Sequence, residues 1–73
     1  MGIIEVLKTN VASKRAAKTI LKEIGSHRPE YKCNFDLEDC DKVLRVENAN
    51  GQVNIPLIFD ILEKNNHQGA IFE

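Results

Sequence analysis

The chain has 73 residues, 42% of them hydrophobic and 29% charged, with a formal net charge of −1. This balance excludes a disordered chain. No apolar run approaches the ~20 residues that cross a bilayer, so a membrane span is excluded as well.

At this length the chain makes one domain, residues 1–73, with a small core. The opening MGIIEVLK lacks the basic start and long apolar stretch of a secretion signal, and Val6 stands where a myristoylation signal has Ser or Thr. The expected location is the cytoplasm. Cys33 and Cys40 are the only cysteines. An extended run from Cys33 to Leu37 already covers roughly 13 Å, beyond the reach of a disulfide, which fits a reducing compartment. Charge is segregated. Residues 8–32 hold seven basic and two acidic side chains, whereas 33–73 hold three basic and eight acidic ones. Such asymmetry can steer a partner of opposite sign.

In chain order, IIEVLK (3–8) is β-branched and partly alternating, a strand. Ser13 caps a following helix on which Ala16, Ala17, Ile20, Leu21 and Ile24 recur at helical spacing, with Lys14, Arg15, Lys18 and Lys22 on the other faces. Gly25 is expected as the left-handed residue ending that helix, with Pro29 preventing resumption. YKCNFDL (31–37) sets Cys33, Phe35 and Leu37 against Lys32, Asn34 and Asp36, a half-buried strand. EDCD (38–41) is turn material and KVLRVE (42–47) the return strand of a hairpin. Asn50-Gly51 marks a turn, and Asn54 caps a second helix that tolerates Pro56 in its first turn. Ile58, Ile61 and Leu62 form its apolar stripe. NNHQG (65–69) ends it, and AIFE (70–73) is a last strand.

The order β-α-β-β-α-β predicts an α+β, ferredoxin-like domain: a four-stranded antiparallel sheet, order 4-1-3-2, with both helices on one face. Loops 8–13, 38–41 and 65–69 then lie at one end. The uncovered sheet face leaves a homodimer possible.

On these residues the chain resembles the heavy-metal-associated domain of copper chaperones and metal-pumping ATPases. Its length, element order and apolar spacing agree, and FDLEDCDKVLRVE is similar to that family's second and third strands. In that family the first loop reads Met-x-Cys-x-x-Cys, and the two thiolates hold a soft metal. Aligning Ala17, Ile20 and Ile24 with the family's helix puts Val11 at the Met, Ser13 at the first Cys and Ala16 at the second. Cu(I) selects thiolates, so a hydroxyl and a methyl leave the motif degenerate. Ser13 then reads as a plain helix cap. The helix start beside Lys8, Lys14 and Arg15 is at most a weak anion site, without a glycine for a phosphate nest.

Two functions follow as expectations. The resemblance implies a lysine-bearing surface around helix 1 that docks onto an acidic protein partner, here Lys8, Lys14, Arg15, Lys18 and Lys22. The alternative is a displaced metal site for a copper or zinc ion, at Cys40 and His67 with Asp39 and Asp41. The plainer reading makes Cys40 a turn residue and His67 a solvated loop histidine, and no resident cofactor is expected. Cys33 reads as core filler. His27 is an exposed turn residue, and Tyr31 has no evident partner. Nucleic acid is not an expected partner, because RNA-binding domains of this topology stack bases on aromatics of the central strands, and IIEVLK and KVLRVE have none. Enzymatic activity is not expected. Asn10 and Arg15 superficially echo the acyl-phosphate hydrolases that share this topology, but their glycine-rich loop is missing and no nucleophile–base pair is evident.

Overall fold

In a computed structural model that describes residues 2–38 and 40–72, the chain forms β1 (Ile3–Thr9), α1 (Lys14–His27), β2 (Tyr31–Asp36), β3 (Val43–Asn48), α2 (Ile55–Lys64) and β4 (Gly69–Ile71). The strands make one antiparallel sheet in the order β2-β3-β1-β4. This is the expected ferredoxin-like arrangement. The register decides which side chains enter the core. Phe35 in β2, Leu44 in β3 and Leu7 in β1 stand in one row across the sheet. Leu7 and Leu44 are fully buried against Ile20 and Ile24 of α1 and Ile58 and Leu62 of α2. Each such side chain contributes about 1.5–3 kcal/mol by leaving water. The opposite sheet face carries Ile4 and Val6, both exposed, and Lys8, whose ammonium stands 5.4 Å from the Phe72 ring centroid.

The ends of α1 show where the sequence expectation was short. Ser13 caps it as expected, its Oγ accepting from the Ala16 N–H at 3.0 Å. The helix does not stop at Gly25. It runs through that residue to His27, and Arg28 caps it by donating its N–H to the Ile24 carbonyl at 2.8 Å. Pro29 supplies the reason, because the residue before a proline is pushed out of the helical region. Arg28 accordingly lies at φ −137°, ψ 80°.

Long-range hydrogen bonds correct three further expectations. Tyr31 is buried, and its hydroxyl accepts from the Asn54 N–H at 2.8 Å, tying the start of β2 to the cap of α2. β3 covers 43–48 rather than 42–47. Lys42 turns out of the ladder at φ 49°, and Asn48 completes it. The Asn48 side chain is buried. It donates to the Gln52 carbonyl at 2.7 Å and accepts from the Asn50 N–H at 3.0 Å, closing the turn around Gly51. Gly51 sits at φ 145°, where side chains are strained. β4 is Gly69–Ile71 rather than 70–73, and Glu73 lies outside the described residues.

One ionic tie joins the helices. Asn65 Nδ2 donates to Glu23 Oε1 at 3.1 Å, and Lys64 Nζ lies 3.2 Å from Glu23 Oε2. The Asn65 hydrogen bond first, and Lys64 second, hold the Glu23 carboxyl below its ordinary 4.5. A carboxylate favoured in the folded state stabilises above its unfolded pKa and loses that contribution as pH falls through the folded one. The melting temperature of Glu23→Gln is therefore expected to sit below that of the parent at pH 7 and to converge with it as pH falls through the lowered Glu23 pKa. A constant gap between the two melting curves from pH 3 to pH 7 would refute the assignment.

Candidate functional site

Three connections meet at one end of the sheet. The Thr9 N–H donates to the Asp41 carbonyl at 3.1 Å, and the Thr9 hydroxyl donates to the Lys42 carbonyl. Asn10 and Gln68 exchange two bonds: Asn10 N–H to the Gln68 carbonyl at 3.2 Å, and Gln68 N–H to Asn10 Oδ1 at 2.9 Å. The β1–α1 loop is thereby fixed to both the hairpin and the α2–β4 loop, as the topology requires.

Within that loop Val11 is fully buried and anchors the entry to α1. The Ser13 hydroxyl is engaged by the Ala16 N–H, and the Ala16 side chain is half-buried. These groups shape a helix start and offer a soft metal no sulfur. Beside them, Ser13, Arg15, Ala16, Thr19, Asn65 and His67 line an open hollow of about 250 Å³. His67 thus faces the start of α1. Asn65 and Thr19 were not singled out from the sequence. Both are set there by packing α2 on α1, a contact with no local signature.

Cys40 is exposed in the β2–β3 turn, and Asp41 is half-buried in the same turn. Asp39 lies outside the described residues. Among the described residues no three His, Cys, Asp or Glu side chains gather as a metal-binding group. Cys33 is half-buried, and that burial pushes its thiol up to about 11, so it is neutral at physiological pH.

The basic residues divide between two surfaces. Lys14, Arg15, Lys18 and Lys22 are all exposed along α1, and none of the four joins an ion pair among the described residues. Glu23, the one acid of that helix, is turned toward α2. Lys8 does not join the group, because strand alternation sends it to the sheet face away from the helices, over Phe72. No helix among the described residues is long and apolar enough to cross a membrane. No family model matches the chain, and neither a curated protein nor a solved structure matches it.

Proposed function

We propose that this chain is a non-enzymatic interaction module, similar to a heavy-metal-associated domain whose thiolate loop has become structural, and that it docks an acidic protein surface on α1. The observation that supports this is the exposed row Lys14, Arg15, Lys18 and Lys22, four cations with no ion-pair partner among the described residues. Exposed charges of this kind add little stability to their own domain. Across an interface they raise association rate and select partners by sign.

The test is capture of cellular partners on the immobilised domain at low salt. Lys14→Glu with Lys18→Glu is expected to reduce capture by about tenfold or more, and added salt to weaken capture by the parent. Arg45→Glu, on the open sheet face, is expected to change little. Equal capture by the parent and the double variant would sink the proposal. Titration with Cu(I), Cu(II) and Zn(II) tests the metal-site alternative directly. Tight binding that shifts the resonances of Cys40 and His67 would move the function to metal binding.

A further inference from the structure

β2 is an outer strand of the sheet, and its main-chain groups can be assigned a direction. The Thr9 N–H reaches Asp41 on the β3 side, whereas the Asn10 N–H reaches Gln68 on the β4 side. Alternation along β1 then points Ile3, Glu5 and Leu7 at β3. Their register partners Asn48, Val46 and Leu44 point back, so Val43, Arg45 and Glu47 point at β2. These pair with Asp36, Asn34 and Lys32, which leaves the main-chain groups of Tyr31, Cys33 and Phe35 directed outward. The Tyr31 N–H is already donated to the Arg28 carbonyl at 3.0 Å. Cys33 and Phe35 have no strand beyond them among the described residues.

We infer that this edge pairs with the same edge of a second copy, antiparallel about a twofold axis at Asn34, making one continuous sheet through both copies. In that register each Cys33 exchanges both main-chain hydrogen bonds with Phe35 of the other copy. On the open sheet face Lys32 stands opposite Asp36 of the other copy, twice by symmetry, and Asn34 meets itself. Neither Lys32 nor Asp36 is in an ion pair among the described residues. Asp36 Oδ1 accepts from the Glu38 N–H at 3.2 Å. Opposite charges directly across two strands attract, and like charges repel. Sliding the pairing by two residues in one direction sets Lys32 against Asn34 and Asp36 against Glu30, which lies beyond the strand end. Sliding it the other way sets Asp36 against Asn34 and Lys32 against Glu38, again beyond the strand end, so neither slipped register pairs opposite charges within the strands. In the inferred register Glu30 faces Glu38 of the other copy, both beyond the strand ends, and within the strands only this register sets opposite charges against each other. A charged outer strand ordinarily repels strangers. Here the two charges are of opposite sign and complement a second copy of the same strand.

The pairing uses the main chain of β2 and its open-face charges, not the α1 side chains proposed for docking. Because α1 packs over β2, a dimer also sets the two α1 helices side by side, with their like charges. Salt screens that repulsion and the Lys32–Asp36 attraction together, so charge exchange is the decisive experiment. Sedimentation of the parent across micromolar to millimolar concentration is expected to show a monomer–dimer equilibrium. Lys32→Glu alone and Asp36→Lys alone are each expected to weaken it by about tenfold or more, and the two together to restore it. Both positions are exposed, and circular dichroism checks that the fold is kept. Asn34→Cys in a Cys40→Ser background is expected to oxidise to a crosslinked dimer. Directly opposed residues in a non-hydrogen-bonded pair sit about 4.5 Å apart, within disulfide range. A parent that stays monomeric, single reversals that leave the dimer intact, a double exchange that fails to rescue it, or an uncrosslinked Asn34→Cys would each overturn the inference.

Discussion

Leu44→Ala is expected to lower the unfolding free energy by about 3 kcal/mol, measured by urea denaturation. Leu44 is fully buried on an inner strand, flanked in its row by Leu7 and Phe35 and roofed by both helices. Removing its isobutyl group leaves a cavity whose walls belong to the sheet and both helices, so no single element can move in to fill it. A domain of this length has a total stability of about 4–11 kcal/mol, so the loss is a large share of the whole. A change under about 1 kcal/mol would show that the row is not packed as described.

Gly69→Val should be nearly as damaging, for the opposite reason. A Cβ built at Gly69 lies 2.7 Å from Leu62 Cδ1 and 3.1 Å from two Phe59 ring atoms. Leu62 is fully buried and has nowhere to retreat. Overpacking of this kind costs about 1–3 kcal/mol, which in a domain of this size lowers the melting temperature by about 10 °C. Gly25 is the internal control. It is helical, and a Cβ there meets nothing within 4 Å. Gly25→Ala is expected to raise stability by about 0.5–1 kcal/mol, because glycine in a helix interior loses more chain entropy than alanine. If Gly69→Val leaves the melting temperature unchanged or raises it, the close approach of α2 to β4 is wrong.

The contrast between these glycines shows which parts of the fold were legible. Element order, and hence strand order, followed from periodicity: Ala17, Ile20 and Ile24 repeat at helical spacing, and Cys33, Phe35 and Leu37 alternate. The same patterns placed Ala17, Ile20, Ile24, Ile58, Ile61 and Leu62 in the core, whereas Val11 and Val53, buried in connections with no period, left no signal. Partners distant in the chain left no such trace. Nothing near Tyr31 announces that its hydroxyl receives the Asn54 amide, and nothing near Asn48 announces that its carboxamide closes a turn inside the fold. Gly25 was read as a helix stop because glycine favours such stops locally, yet the constraint that acted was Pro29. The basic side chains were legible as a set but not as a surface. Lys8 and Lys14 are close in sequence and lie on different sides of the sheet, because one belongs to a strand and the other to a helix above it. The candidate docking face could therefore be composed from sequence only after the strand phase was known.

The paired bonds between Asn10 and Gln68 join residues 58 positions apart. They fasten the head of the chain to its tail, so neither the first loop nor the last can come loose without the other. The joint is a seam between the loop that leads into α1 and the loop that leads into β4.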